Sequence, residues 1–239
     1  RMYTRDFDGA CKSFGAALRL DPSAPYAMHG DADCLMLDGR MEESVARIRE
    51  ISLVSPFHAM HNLPLCSHLF MARRFDEAIT ATKDVQARNR QLSLHWFLSL
   101  VYWRQGRFDE ALEEERLELE QRGDTVLLAA LDEGFDAAGP TGAMRSMAEA
   151  LVDRAQESYV NPFFIGETFA RAEMVDEALY WLDQAVEHGS YNMNYLAFWP
   201  PFDVLRDDPR YQDLAERVYG SRARDLTRKT HTPSSQTAD

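Results

Sequence analysis

Small and large apolar residues recur along this chain at intervals of about 34 residues, a pattern typical of repeated helices. Small residues mark the same place in successive units. In several of them a large apolar residue follows four positions later and another apolar residue follows seven positions later. These spacings put the side chains on one face of a helix. Each unit is therefore expected to bury that face against its neighbours, as in an α-solenoid. The small positions are Ala10, Ser44, Ala78, Ala111, Ala143 and Ala178.

Each unit is expected to contain two antiparallel helices joined by a tight turn. Leu92–Gln105 is apolar at helical spacing, and it ends at Gly106, a residue suited to the left-handed backbone that follows many helices. The second helix then opens with Arg-Phe-Asp-Glu-Ala at 107–111. The same five residues recur at 74–78, and Met-Val-Asp-Glu-Ala stands at 174–178. Such agreement at the phase of the repeat favours a repeated helix start over coincidence.

At these residues the chain resembles the tetratricopeptide-repeat family. The family places small residues at two helix–helix contacts, because neighbouring helices approach to about 8–10 Å only where side chains are short. In this chain the first helices carry small residues with an apolar or aromatic residue three positions on, at Ala32/Leu35, Cys66/Leu69, Ser99/Tyr102 and Gly166/Phe169. The resemblance implies an all-α fold, a right-handed α-solenoid of about five antiparallel helix pairs with a C-terminal capping helix.

The repeat divides the chain into expected units. Asp208 is suited to the N-cap of the last helix and Pro209 to its first position. The C-terminal part is similar to the closing segment of repeat regions in bacterial multidomain signalling proteins, which implies a cyclase, kinase or winged-helix domain upstream. Arg1 to Thr4 would then end a helix that starts earlier. The expected units are 1–22 (partial), 25–58, 59–91, 92–123, 124–157 (degenerate) and 159–190, then a cap at 191–219 and a disordered basic tail at 220–239.

One helix carries acidic residues where the other units are apolar. Glu115 and Glu118 take these positions, and burial of unpaired carboxylates is costly. The helix is therefore expected to rotate, fray or face solvent. Glycines follow in the next unit, so a bend in the superhelix is predicted between residues 113 and 142.

Composition excludes several classes of function. The net charge is −13 over 239 residues, which argues against nucleic-acid binding because that binding rests on concentrated Lys and Arg. No run approaches the roughly 18 apolar residues of a membrane span. Cys11, Cys34 and Cys66 have no disulfide-framework spacing, and they are expected to be reduced thiols in a cytoplasmic protein.

The sequence contains no recognisable active-site motif. A phosphate-binding glycine loop, a Cys-x-x-Cys pair and a His-Glu-x-x-His motif are all lacking. His58, His61 and His68 are weak metal candidates, since a zinc site needs three or four convergent donors. The expectation is a non-catalytic protein without metal or cofactor, and a metal-dependent helical enzyme that uses these histidines is the remote alternative.

The resemblance implies a partner-binding groove along the concave face of the first helices. The corresponding positions are rich in aromatic residues and Met, which are common at the centres of interfaces. Burial between helices is the competing interpretation for each of them. The positions that bind acidic tails in one subtype of the family are here His29, Leu63, Asp33 and Ser67, so an apolar or amphipathic peptide with basic character is the expected partner. Self-association as a homodimer is the alternative. The groove candidates are Tyr26, His29, Asp33, Met36, Met60, Leu63, Phe70, Trp96, Leu100, Trp103, Arg104, Phe163, Glu167 and Arg171.

Overall fold

The computed structural model describes residues 5–55, 58–89 and 91–229, and over these ranges the chain forms helices and no strand. Consecutive helices pack on one another, which confirms the predicted α-solenoid of helix pairs. The helices are α1 (Phe7–Leu20), α2 (Pro25–Leu37), α3 (Met41–Val54), α4 (Ala59–Met71), α5 (Phe75–Arg88), α6 (His95–Arg104), α7 (Phe108–Arg122), α8 (Thr125–Glu157), α9 (Pro162–Arg171), α10 (Val175–Glu187), α11 (Pro209–Tyr219) and α12 (Ala223–Lys229).

The small residues of the repeat lie where helices touch. Ala78, Ala111 and Ala178 have no exposed surface, and Ser44 is equally buried. The Ser44 hydroxyl donates a hydrogen bond to the Ala32 carbonyl of the neighbouring helix at 2.7 Å, which satisfies its polar group. The repeat positions are therefore the contact points that the sequence pattern predicts.

Three of the second helices begin with the same ion pair. In each, an arginine at the N-cap binds a glutamate three residues later, inside the first turn. The arginine lowers the pKa of each glutamate by hydrogen bonding to its carboxylate. A negative charge in the first turn also interacts favourably with the helix dipole. The pairs are Arg40–Glu43, Arg74–Glu77 and Arg107–Glu110.

The glycine-rich unit contains a sharp reversal within α8. The backbone leaves helical geometry at Ala138 and Gly139, and the two parts of α8 pack against each other. Gly134 and Gly142 make the closest approach, because a Cβ atom added to Gly142 would lie 2.3 Å from the Gly134 carbonyl oxygen. The glycines thus permit a close-packed helix hairpin, and the acidic helix α7 before it runs without interruption from Phe108 to Arg122.

The expectation of a disordered tail from residue 220 is wrong for residues 220–229. Residues 220–229 are ordered as a 3-10 turn (Gly220–Arg222) and α12, because Ala223 and Leu226 are buried apolar side chains.

Cys11 and Cys34 form a disulfide between α1 and α2, so the expectation that they are reduced thiols is wrong. Cys66 is the free, buried cysteine, and burial raises its pKa to about 11. Residues 1–4 and 230–239 lie outside the described ranges.

The two ends of the solenoid are in contact. The Phe7 ring stacks on the Tyr219 ring with centroids 6.1 Å apart. Arg222 donates to the Asp8 carboxylate at 2.6 Å, and the Arg5 guanidinium donates to the Val186 carbonyl at 3.2 Å. Asp208 caps α11 and Pro209 opens it, as the sequence predicts. The first helix of the solenoid is therefore joined to its C-terminal helices by a few side-chain contacts.

The Gly134–Gly142 contact gives a direct test of the α8 hairpin. Gly142→Ala should lower the free energy of unfolding by about 1–3 kcal/mol, because the methyl group overlaps the Gly134 carbonyl. Gly15→Ala is the matched control in the middle of α1, where an added Cβ meets only the end of Arg19 at 3.8 Å. That control should raise the free energy by about 0.5–1 kcal/mol. Urea unfolding measures both, and equal effects would contradict the close approach.

Candidate functional site

A segment near the C-terminus lies across the first helices of three pairs, α4, α6 and α9. This closing segment, residues 191–205, contains two 3-10 helices, Tyr191–Tyr195 and Pro200–Leu205. Trp199 packs on Phe70 of α4, with ring centroids 5.1 Å apart. Phe202 packs on Phe163 of α9 at 5.2 Å. The closing segment therefore covers part of the surface that the resemblance assigns to a partner.

One carboxylate fixes the closing segment through ion pairs. Asp203 binds Arg73 at 2.7 Å, Arg104 at 2.9 Å and Arg206 at 2.7 Å. Arg73 follows α4, Arg104 ends α6, and Arg206 follows the closing segment itself. Burial lowers the pKa of Arg73 to about 10, while the Asp203 carboxylate acts in the opposite direction. Three cations around one anion leave a local excess of positive charge beneath the closing segment.

The uncovered part of the groove is an aromatic pocket of about 550 Å³. It lies among α2, α4, α6, α9 and the closing segment. Tyr26 stands at its rim and is 73% exposed, and Phe164 is 40% exposed. Polar groups are few, which is the usual character of a pocket that holds an apolar ligand group. The pocket is lined by Tyr26, His29, Leu63, Pro64, Cys66, Ser67, Met71, Leu94, Trp96, Phe97, Phe163, Phe164, Tyr191, Asn192, Tyr195 and Trp199.

Two histidines and an aspartate meet beside this pocket, and one of them, His29, lines it. His29 and Asp33 lie one turn apart on α2, and His68 comes from α4. The Oδ1 atom of Asp33 is 3.4 Å from Nε2 of His68 and 3.8 Å from Nε2 of His29. Asp33 and His68 are buried, and burial lowers the pKa of His29. These three are the donors in the described ranges that converge closely enough to hold a metal ion.

The predicted cluster of His58, His61 and His68 does not form. The rings of His58 and His61 stack at 3.9 Å, and His61 meets Tyr26 edge to face. His68 also faces α2 but lies two turns farther along α4 than His61, beside Asp33 and His29. The sequence alone does not show that α2 supplies closer partners for His68.

The two buried glutamates of α7 are paired, which corrects the expected disturbance of that helix. The Glu115 carboxylate accepts hydrogen bonds from Arg171 at 3.0 Å and from Ser99 at 2.7 Å. Glu118 binds Arg122 at 2.7 Å and the Ser93 hydroxyl. Because these partners satisfy the carboxylates, α7 neither frays nor turns them to solvent.

The predicted groove residues fall into three groups. Tyr26, His29, Leu63 and Trp96 line the pocket with some exposure, and Phe163 forms part of its buried floor. Trp103 and Arg104 are half-buried, since Trp103 lies against Arg171 and Arg104 binds Asp203. The third group is buried in the core or in ion pairs and cannot reach a partner in this conformation: Asp33, Met36, Phe70, Leu100, Glu167 and Arg171. The side chain of Met60 lies outside the described part of the structure.

Sequence analysis missed the lining that the closing segment supplies. Tyr191, Tyr195 and Trp199 were assigned to a terminal cap, because nothing local shows where such a segment will pack. A signal was present in the aromatic residues between 191 and 202, which exceed what a cap over one helix pair requires.

A second pocket of about 430 Å³ lies on the other side of α4, between α3 and α5. Its edge is polar, and Arg49 binds the Glu77 carboxylate across it at 2.5 Å. Its lining contains no aromatic side chain. The aromatic pocket is therefore the stronger candidate for binding.

Comparison with known proteins agrees with this architecture. The family model for the tetratricopeptide repeat matches residues 1–51 and 67–124. These two stretches are similar to that family and together make up less than half of the chain. The chain is also similar to one in the crystal structure of the APC/C hetero-tetramer Cut9–Hcn1, with 14% sequence identity and a TM-score of 0.52. That alignment covers 97% of this chain and 47% of the other, so this chain spans about half the length of its structural relative. At such low identity the likeness shows the fold alone, and no curated protein matches the sequence significantly.

The Arg73–Asp203 pair can be tested at two comparable turns. Arg73 and Glu173 both adopt a positive φ, of 64° and 60°, between the two helices of a pair. Glu173→Gly should raise the free energy of unfolding by about 1 kcal/mol, because it removes backbone strain. Arg73→Gly gains the same relief but loses a charged hydrogen bond of about 1.5–3 kcal/mol. Urea unfolding should therefore show Arg73→Gly as destabilising. Equal stabilisation of both variants would show that Asp203 does not depend on Arg73.

The buried carboxyl group of Glu167 makes the stability of the folded protein depend on pH. Its carboxylate accepts a hydrogen bond from the Trp199 indole at 2.5 Å, and burial raises its pKa to about 7, although Arg171 opposes this. The folded protein then holds this proton more tightly than the unfolded chain. The contribution to stability is complete below about pH 4.5 and is lost as the pH rises through about 7, by at most about 1.4 kcal/mol per unit.

Unfolding experiments from pH 4.5 to 8 should reveal this trend as a difference between wild type and Glu167→Gln. The amide keeps an acceptor for Trp199 but does not titrate. Glu133→Gln, on the exposed side of α8, removes the same charge and should follow wild type. Parallel curves for wild type and Glu167→Gln would contradict the raised pKa.

Proposed function

We propose that this chain is a non-catalytic protein-interaction module whose aromatic pocket holds an apolar anchor side chain of a partner peptide. The pocket itself carries the proposal, because exposed aromatic residues around an apolar cavity are typical of the energetic centre of an interface. The tetratricopeptide repeats and the structural relative support protein partners in general. Aromatic and Met side chains in the lining favour an aromatic or long aliphatic anchor.

The partner segment is expected to have basic character around its anchor. The chain carries 39 acidic and 26 basic residues, and such an excess of negative charge attracts basic partners over distance. The Asp203 cluster does not oppose this, since its arginines lie beneath the closing segment. Apolar contact would thus provide most of the affinity and charge would assist the encounter.

The closing segment limits the length of peptide that the groove can hold. Trp199 and Phe202 already fill the space between α4 and α9. A long helix or strand laid along the whole groove would have to displace them. We therefore propose a short segment that enters beside Tyr26 and Phe164.

Tyr26→Ala tests this assignment against a control of equal exposure. Peptides selected from a displayed library on the wild-type chain would be measured by fluorescence anisotropy. Tyr26→Ala and Trp96→Ala should weaken binding by about tenfold or more, because each removes an aromatic contact worth more than about 1 kcal/mol. Tyr159→Ala should have no effect, since Tyr159 is 77% exposed and lies outside the pocket. Unchanged affinity in Tyr26→Ala and Trp96→Ala, with helicity intact, would place the binding surface elsewhere.

We further propose that the module serves as a sensor or scaffold in a bacterial signalling protein. The similarity of residues 199–211 to the closing segments of such repeat regions supports this role. The complete open reading frame tests it, because a cyclase, kinase or DNA-binding domain has recognisable motifs. A reading frame without any such domain would contradict it.

A cytoplasmic location is part of this proposal. No helix in the described ranges is long and apolar enough to cross a membrane. The Cys11–Cys34 disulfide is more typical of oxidising compartments. A cytoplasmic protein would keep this pair reduced or cycle it, and thiol counting on protein alkylated inside intact cells distinguishes these states from a permanent disulfide.

A further inference from the structure

The contact between His68 and Asp33 brings together two atoms that both carry lone pairs. The Nδ1 atom of His68 lies 2.8 Å from the Pro64 carbonyl oxygen, which can only accept. Nδ1 must therefore carry the proton, and Nε2 of the neutral ring presents a lone pair toward Oδ1 of Asp33 at 3.4 Å. Neither atom has a hydrogen-bond partner, and both are buried. Two buried acceptors that face each other repel unless positive charge lies between them.

A proton on Nε2 fits this geometry poorly. Hydrogen bonds between a charged nitrogen and a carboxylate are usually about 2.7–2.9 Å long. The His68–Asp33 distance is 3.4 Å, and His29 lies farther away, at 3.8 Å from the same oxygen. A shared proton would draw one pair together and would not explain why a third donor converges on the same point.

A metal ion fits the spacing better. Ligands bound tetrahedrally to zinc at about 2.0–2.2 Å are about 3.3–3.6 Å from one another. The ligand atoms of His29, Asp33 and His68 all lie within 4.8 Å of one another, and the shortest separation already matches the tetrahedral edge. Small side-chain rotations would bring the others to the same value.

We propose that His29, Asp33 and His68 bind a divalent transition-metal ion of the zinc class. Two imidazole nitrogens and one carboxylate suit zinc and its neighbours, whereas magnesium and calcium prefer oxygen ligands. The His68 ring is held as metal-binding histidines usually are, with its other nitrogen donating to a backbone carbonyl. The proposal does not depend on the function proposed above.

The fourth coordination position lies on the side of the aromatic pocket. His29 is part of the pocket lining and keeps about a third of its side chain exposed, so the ion can enter there. Tyr195 is on the same side; burial raises the pKa of its hydroxyl and the Asp33 carboxylate raises it further. A water molecule or a donor from the bound peptide would complete the shell.

Titration with zinc alone tests the site on the full chain. After treatment with a chelator and its removal, calorimetric titration with zinc chloride should show one equivalent bound. His29→Gln and Asp33→Asn should weaken binding by at least about 100-fold, the upper end of what loss of an outer-shell partner costs. His61→Gln is the matched control, since it removes a nearby imidazole that is not a ligand. Cobalt(II) should give the strong visible absorption of a four-coordinate ion in wild type and in His61→Gln.

The thermal midpoint provides a second measurement. Zinc should raise the unfolding temperature of wild type and His61→Gln but not that of His29→Gln, because an ion that binds the native state stabilises it. His29 is partly exposed, so its substitution should leave the fold intact even where Asp33→Asn does not. Failure to bind zinc, or equal binding by wild type and His29→Gln, would overturn the proposal.

Discussion

Asp203 holds the architecture together, because its carboxylate joins parts of the chain that are far apart in sequence. It binds the ends of α4 and α6 through Arg73 and Arg104, and Arg206 on its own segment. Repeat units normally contact only their neighbours. Here one side chain ties the last segment to two earlier units, and Trp199 then becomes buried against Phe70. Trp199 and Phe202, the aromatic residues near Asp203, lie against α4 and α9 beside that attachment.

Because the closing segment is held in this place, it covers part of the concave groove and leaves the aromatic pocket as a bounded cavity. The buried network of Ser99, Glu115 and Arg171 supports the floor from behind, with the Trp103 ring 4.7 Å from the Arg171 guanidinium. Such networks are costly to leave incomplete, so they favour one packing over its alternatives. The pocket is thus bounded by fixed side chains rather than open along the whole concave face.

Prediction from the sequence was accurate for contacts that depend on residues close together in the chain. The contact positions at Ala78, Ala111 and Ala178 follow from helical spacing and from the space between two neighbouring helices. It was inaccurate where a partner lies far along the chain. The partner of Glu115 is Arg171, 56 residues later, and the partners of His68 lie on α2, more than 30 residues before it. The place of the closing segment could not be predicted for the same reason. Only the folded chain shows that residues 191–205 lie on α4, α6 and α9.

The contact between the two ends has a mechanical consequence. An open solenoid extends and twists like a spring, because its deformation is shared among weakly coupled units. Phe7 against Tyr219 and Asp8 bound to Arg222 join the first described helix to the C-terminal helices. Stretching the described part of the chain would have to break these contacts before the repeats between them could separate.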